Sequence, residues 1–325
     1  MRLLPPGVVH GERRAPRARA VRGALPRVAG PRAASATVRA VRVGLFVPCY
    51  VDQLAPAVAE ATVAVLERAG CAVDYDPDQT CCGQPFSNLG LADEAARLAR
   101  RHLERFARHD AIVCPSASCV ATVRHHYEAL GAGRDPAGRR VRARTFELTE
   151  FLARELGATH LGARFPHRVA LLATCHGLRE LGLGVPSELV RFSSDPPPLP
   201  RSESTASGEV HQTCGNPVAS HHATPRAPAN ARAERPTEAL LYSVEGLSLV
   251  FPSRDECCGF GGAFSVELPE VSARMGRARL ADLAATGAEF VTATDVSCLL
   301  HLDGIRRRDG AGPRAIHVAE ILAAR

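Results

Sequence analysis

Eight of the eleven cysteines fall into two sets of the same form. In each set a single cysteine is followed by an adjacent pair and a glycine, and then by another single cysteine. The sets are Cys49, Cys81, Cys82 and Cys119, and Cys175, Cys257, Cys258 and Cys298. Four thiolates are the ligand number of a [4Fe-4S] cluster, whereas zinc is usually bound through C-x₂₋₄-C pairs and a disulfide between adjacent cysteines would be strained. The sets therefore favour iron-sulfur clusters, of the [4Fe-4S] type, over zinc or disulfides.

The spacing of the cysteines indicates an internal duplication. In the first set 31 residues separate the first cysteine from the pair, and 36 separate the pair from the last. In the second set these separations are 81 and 39 residues. The longer one contains a Pro- and Ser-rich stretch at 192–237, and without its 46 residues the separation becomes 35. Two copies of one unit, the second interrupted by an insertion, account for the pattern.

Short apolar runs precede the single cysteines and predict strands, as at 43–48 and 169–174. Helical patterns lie between them at 55–69, 91–108 and 271–285. Alternating strands and helices predict an α/β fold of two duplicated Rossmann-like βαβ halves with mostly parallel sheets. Ligands of such sheets collect at the carboxyl ends of the strands, where these cysteines fall. A glycine after each pair, Gly83 and Gly259, allows the sharp turn that neighbouring ligands require.

The predicted organisation is an Arg-rich disordered extension at 1–42, a first cysteine-rich domain at 43–165 and a second at 166–325, interrupted at 192–237. The extension holds ten arginines and one acid, which gives it a charge of +9. Because the whole chain has a net charge of +6, the remainder carries −3. A slightly acidic body with few aromatic residues argues against a nucleic-acid partner. We find neither an apolar run long enough for a membrane span nor a signal peptide, and expect a cytoplasmic protein whose cysteines stay reduced.

The motifs resemble those of the cysteine-rich CCG domain family, which includes iron-sulfur subunits of heterodisulfide reductase, glycolate oxidase and lactate-utilisation complexes. The resemblance rests on the segments 46–50, 81–86, 115–119, 256–265 and 295–302, and is strongest to the lactate-utilisation branch. It implies an oxidoreductase subunit that transfers electrons in a complex oxidising L-lactate to pyruvate. It also implies a ferredoxin-type iron-sulfur partner, and leaves open whether the substrate site lies on a partner subunit.

Two departures separate this chain from other branches of the family. In heterodisulfide reductase the last cysteine belongs to a C-x-x-C pair, but Ser116 and Asp295 stand at the corresponding positions here. The glycolate oxidase subunit begins with ferredoxin-type cysteine runs, which this sequence lacks. Complexes like these two remain alternatives, as does a sensor or scaffold with structural clusters. The remaining cysteines, Cys71, Cys114 and Cys214, have no counterpart in the other copy and are not predicted as ligands.

Overall fold

The structure of the chain, a computed structural model, describes residues 41–184 and 235–325. The predicted extension lies outside these ranges except for residues 41–42, and the predicted insertion lies outside them except for residues 235–237. Pro236 and Thr237 already belong to a helix, and both are buried. Helical structure therefore begins slightly before the predicted end of the insertion.

Two four-stranded sheets, in which every neighbouring pair of strands is parallel, form the centre of the fold. The strands are β1 (Arg42–Leu45), β2 (Ala72–Tyr75), β3 (Ala111–Cys114), β4 (Thr145–Glu147), β5 (Arg168–Leu171), β6 (Ser248–Val250), β7 (Phe290–Ala293) and β8 (Arg314–His317). The first sheet has the order β2-β1-β3-β4 and the second the order β6-β5-β7-β8, so the two follow one topology. The predicted duplicated α/β fold is confirmed.

Helices connect the strands, and those predicted at 55–69, 91–108 and 271–285 are all present. The helices are α1 (Cys49–Leu54), α2 (Pro56–Arg68), α3 (Gln84–Asn88), α4 (Ala92–Phe106), α5 (Ala117–Ala121), α6 (Pro136–Ala143), α7 (Leu148–Glu150), α8 (Pro236–Leu241), α9 (Phe264–Glu267), α10 (Pro269–Ala285), α11 (Val296–Asp309) and α12 (Val318–Ala323). Single π-helical turns occupy Thr122–His126, Phe151–Glu155 and His176–Glu180. None of the helices in the described ranges has the length and apolarity needed to cross a bilayer.

The alternation of side chains along the strands divides the core into three parts. Val43 and Leu45 of β1 face a core that the two halves share, together with Val169 of β5. Ile112 of β3 faces a second core that belongs to the first half, and Val291 of β7 faces a third that belongs to the second half. Burial of each such side chain contributes about 1.5–3 kcal/mol. The shared core therefore ties the two copies together through many apolar contacts.

Helix α12 of the second half packs on α2 of the first half. Ile321 and Leu322 lie in the shared core with Val65 and Leu66, and all four are fully buried. The Arg68 guanidinium, at the end of α2, donates hydrogen bonds to the carbonyls of residues 322 and 323 at 3.1 and 3.0 Å. These bonds satisfy carbonyls at the end of α12 that lack partners within the helix. The two halves therefore complete each other's helix packing.

Candidate metal centre

The order of the strands places the single cysteines at the crevices of the two sheets. In the order β2-β1-β3-β4 the chain reverses its direction across the sheet between β1 and β3, and ligands of such sheets bind at this reversal. Cys49 begins α1 just after β1, and Cys119 lies in α5 just after β3. Cys175 and Cys298 occupy the equivalent places after β5 and β7. The fold thus brings together cysteines that are far apart in sequence.

In the first half the sulfur atoms meet in two pairs. Cys49 Sγ lies 3.6 Å from Cys81 Sγ, and Cys82 Sγ lies 3.5 Å from Cys119 Sγ. Cys82 and Cys119 are buried, whereas Cys49 and Cys81 are partly exposed. All four predicted ligands of this half therefore gather at the carboxyl edge of the first sheet.

The second half repeats this pairing. Cys258 Sγ lies 3.0 Å from Cys298 Sγ, and Cys175 hydrogen-bonds to Cys257. Cys258 is buried and the other three cysteines of this set are partly exposed. The predicted ligands of the second half are thus also brought together, with the same partners as in the first.

The glycine after each cysteine pair adopts the backbone conformation that the sequence predicts. Gly83 has φ +89° and Gly259 has φ +88°, in the left-handed region that favours glycine. The turn directs each glycine N–H back toward the first cysteine of its pair. Gly83 donates to Cys81 Sγ and Gly259 donates to Cys257 Sγ, both at 3.4 Å. Hydrogen bonds of this kind stabilise charge on sulfur.

In each half, a hydrogen bond between two thiols raises the pKa of one cysteine and lowers that of the other. In the first half the thiol of Cys49 donates to Cys81, which lowers the pKa of Cys81 to about 3 and, together with burial, raises that of Cys49. In the second half the hydrogen bond from Cys175 lowers the pKa of Cys257 to about 2 and raises that of Cys175. A thiol must lose its proton before it binds a metal. Each set therefore contains a sulfur prepared to act as a thiolate.

A cavity of about 150 Å³ lies between the halves, and cysteines from both sets line it. Four more of its lining residues link the halves in pairs. The Gln84 amide donates to His176 Nε2 at 3.1 Å, and the rings of Tyr50 and Phe260 meet edge to face at 5.7 Å. The lining cysteines are Cys49, Cys119, Cys175, Cys257, Cys258 and Cys298. Cys81 and Cys82 do not line the cavity, but their sulfurs contact those of Cys49 and Cys119.

Ser116 and Asp295, three residues before the last cysteine of each set, contact each other across the boundary between the halves. The Ser116 hydroxyl donates to Asp295 Oδ1 at 2.9 Å, and the backbone N–H of Ser118 donates to the same oxygen at 2.9 Å. Ser116 and Asp295 are 4% and 1% exposed, and both line the cavity. The sequence marks both positions as departures from a C-x-x-C pair but does not indicate that the two side chains meet.

Two further residues near the first set were not predicted from the sequence. The buried Tyr127 hydroxyl donates to the carbonyl of Cys82 at 3.0 Å and so fixes the backbone of the cysteine pair. Cys114, which is fully buried at the end of β3, hydrogen-bonds to Cys119, and burial raises its pKa well above the usual value. Only its position five residues before Cys119 hinted at this neighbourhood. Cys71 is buried in the shared core away from both sets, and Cys214 lies outside the described residues.

The donor set fits an iron-sulfur cluster in its chemistry. Each half offers four thiols and amide donors to sulfur, which are the groups that hold such clusters. Across residues 41–184 and 235–325, no three ligand side chains surround one point as they would around a single ion. The sulfurs meet in pairs instead. The residues that would hold a cluster are Cys49, Cys81, Cys82 and Cys119 in one half, and Cys175, Cys257, Cys258 and Cys298 in the other.

Comparison with known families agrees with this arrangement. A family model described as a cysteine-rich domain, abbreviated CCG, matches residues 43–124 and 210–303, one match for each half. Together these matches cover more than half of the chain. The chain therefore belongs to the cysteine-rich CCG domain family.

Curated relatives match over nearly their whole length. Lactate utilization protein A of Exiguobacterium sp. is 34% identical over 286 residues, which are 86% of this chain and 96% of that protein. The proteins of the same name from Geobacillus kaustophilus and Bacillus subtilis are 32% and 30% identical, over 88% of this chain and their full length. The similarity thus extends across both halves of the duplicated fold.

Proposed function

We propose that this chain is an iron-sulfur electron-transfer subunit of a complex that oxidises L-lactate to pyruvate. It is the electron-transfer component of an oxidoreductase, and a ferredoxin-type iron-sulfur protein is among its partner subunits. The similarity to relatives named Lactate utilization protein A supports the role in lactate utilisation. The two cysteine sets support the iron-sulfur chemistry.

The observation that carries the proposal is the position of both cysteine sets on one cavity. Cys49 and Cys119 reach it from the first half, and Cys175, Cys257 and Cys298 reach it from the second. Two redox centres held on one short cavity can exchange electrons, whereas two structural clusters have no need to face each other. This arrangement favours electron transfer over a scaffold.

Iron-sulfur clusters supply reversible one-electron chemistry, with potentials set by hydrogen bonds to sulfur and by solvent exposure. Residues of this chain determine both the hydrogen bonds to sulfur and the solvent exposure of the cysteines. Gly83 and Gly259 direct their N–H groups at sulfur in each set. Cys82 and Cys258 are buried, while the partly exposed Cys49 and Cys175 face the cavity. We propose all eight cysteines as the cofactor ligands.

The chemistry of the cavity lining favours a substrate site on a partner subunit. Lactate and pyruvate are carboxylates, which proteins usually bind with arginine or lysine. The chain has no lysine, and none of the described residues that line this cavity is arginine. Asp295 adds a carboxylate of its own to the lining. A small carboxylate would therefore meet repulsion here and no cationic partner, which favours a binding site for it elsewhere in the complex.

Anaerobic purification followed by iron and acid-labile sulfide analysis tests the cofactor. We expect iron and sulfide in near-equal amounts, with lower amounts in the Cys82→Ala and Cys258→Ala variants. Cys71→Ala is the matched control, because this cysteine is buried but lies outside both sets. Stoichiometric zinc without sulfide in the wild-type protein would overturn the proposal.

Lactate-dependent dye reduction by the reconstituted complex tests the function. Both pair variants should reduce the rate to background, because a cluster with three of its four ligands becomes labile, while Cys71→Ala should retain the wild-type rate. If only one of the two pair variants lost activity, electron transfer would need only one half. Full activity in both variants would refute an electron-transfer role for the cysteine sets.

A further inference from the structure

At the boundary between the halves, the side chain of Asp295 hydrogen-bonds to the opposite half and not to its own helix. Asp295 stands directly before α11, at the position where an Asp side chain normally caps its own helix. Its side chain makes no such bond to α11. Asp295 Oδ1 instead accepts from the backbone N–H of Ser118, in the first turn of α5 in the other half. A residue of the second half therefore caps a helix of the first.

The capped helix carries Cys119, and a second hydrogen bond reaches that cysteine directly. The Ser116 hydroxyl donates to Asp295 Oδ1 at 2.9 Å, and its oxygen accepts from the backbone N–H of Cys119 at 3.4 Å. Asp295 is thus connected to the backbone around Cys119 both directly, through the N–H of Ser118, and indirectly, through the hydroxyl of Ser116. The second half shows no matching bond from Ser116 to α11 among the described contacts, although Ser116 is the equivalent residue in sequence.

Further hydrogen bonds near Asp295 stabilise the same boundary between the halves. The N–H of Ala117 donates to the carbonyl of Thr294 at 3.3 Å, and the hydroxyls of Thr174 and Thr294 lie 3.2 Å apart. Asp295 is 1% exposed, so solvent cannot replace its two bonds to the first half. The carboxylate and its neighbours thus fix the start of α5 relative to the second half.

We propose that Asp295 is a positioning residue that acts on Cys119 of the opposite half, and not on Cys298 of its own helix. It holds the start of α5 at the cavity and thereby fixes the sulfur of Cys119 relative to the cysteine set of the second half. The assignment of Cys119 as a cluster ligand rests on the proposed function. The positioning itself concerns only the chain's own residues and can be tested without a cofactor.

The first test measures the accessibility of the thiols in reduced, metal-free protein of full length. The wild-type protein and its variants are labelled with N-ethylmaleimide, and the labelling rates of Cys119 and Cys298 are followed by peptide mass spectrometry. Loss of the cap in Asp295→Ala should let α5 open more often and speed labelling of Cys119 about tenfold. Cys298 should change by less than about threefold, since the side chain makes no bond to α11.

Two further variants separate positioning from a general loss of stability. Asp295→Asn keeps an amide oxygen that can accept from Ser118 and Ser116, so it should restore slow labelling of Cys119. Asp303→Ala removes a carboxylate from the same helix, where Asp303 pairs with Arg306 at 2.8 Å, and should leave Cys119 unchanged. Equal acceleration of Cys119 and Cys298 in Asp295→Ala, or faster labelling of Cys298 alone, would overturn the proposal. Failure of the Asn variant to restore Cys119 would overturn it as well.

The second test follows the cofactor in each half separately. In a Cys258→Ala background only the first set is complete, and in a Cys82→Ala background only the second is. Adding Asp295→Ala should lower iron and sulfide in the first background and leave them unchanged in the second, and the reverse pattern would contradict the inference. If the wild-type protein bound no iron, the proposed function would fail, while the labelling result would still decide the role of Asp295.

Discussion

Substitution of Gly259 by alanine should destabilise the protein well beyond the effect of its backbone conformation. A Cβ at this position would lie 2.6 Å from the carbonyl oxygen of Ser272 and 2.8 Å from Met275 Cβ, both in α10. Gly70 is a matched control because its φ is +87°, against +88° at Gly259, and a Cβ there would meet nothing within 4 Å. The two substitutions therefore share the same backbone strain and differ in the steric clash.

The magnitudes follow from these two contributions. Left-handed backbone costs an alanine about 1–2 kcal/mol, and the reduced freedom of the unfolded chain offsets about 0.4–1 kcal/mol of this. Gly70→Ala should therefore cost about 1 kcal/mol. The close approach to α10 adds about 1–3 kcal/mol, as in overpacked cores, so Gly259→Ala should cost about 2–4 kcal/mol. That is a large part of a typical stability of about 5–15 kcal/mol.

Urea unfolding of the reduced, metal-free protein measures both costs. We expect the midpoint to fall for both variants at an unchanged slope, with the larger fall in Gly259→Ala. The purified Gly259→Ala variant should also bind less iron, because the clash with α10 would displace the turn that directs the N–H of residue 259 to Cys257 Sγ. Equal midpoints for the two variants would show that the backbone near α10 adapts to a Cβ, and the steric reasoning would be wrong.

Three further predictions concern buried polar groups. Burial lowers the pKa of His102 to about 3, below the ordinary value of about 6.5, so the stability of the protein should fall as pH drops below about 6.5. In urea titrations at pH 5 and 7, the His102→Phe variant should show a smaller difference in stability between the two pH values than the wild-type protein. Burial raises the pKa of Glu147 to about 8, so the stability that its protonated form contributes is lost as pH rises from about 4.5 through 8. The Glu147→Gln variant should therefore lose less stability than the wild-type protein between pH 6 and 9. Tyr127→Phe removes the hydrogen bond to the Cys82 carbonyl and should cost about 1 kcal/mol by the same assay, and an unchanged midpoint would refute that contribution.

Much of the fold follows from local patterns in the sequence. The helix predicted at 55–69 is observed at Pro56–Arg68, and its buried residues, Val58, Thr62, Val65 and Leu66, lie on one face. This succeeds because a 3.6-residue period of apolar side chains reports which face packs inward. The turn at Gly83 was predictable for a similar reason, since only glycine adopts its conformation without strain.

The contacts between the halves could not be predicted in the same way. Asp295 has the sequence context of an ordinary helix cap, and nothing nearby in the chain distinguishes a cap on α11 from one on α5. The partner residue, Ser116, lies 179 positions earlier. Which polar residues meet at the boundary between the halves depends on how the two sheets pack together, and local patterns in the sequence do not reveal that packing. Cys114 lies only five residues before Cys119, but the sequence does not show that its buried thiol hydrogen-bonds to that cysteine.

The packing of α12 on α2 has a consequence for biosynthesis. Arg68 finds its partner at Leu322 only 254 positions later in the chain. At translation rates of about 5–20 residues per second, the apolar face of α2 is finished roughly 10–50 s before the ribosome has made the helix that covers it. During this interval Val65 and Leu66 lack the cover that Ile321 and Leu322 of α12 provide. A chaperone that holds the emerging chain would protect this face, and ribosome-bound chains stalled before residue 318 should be its clients.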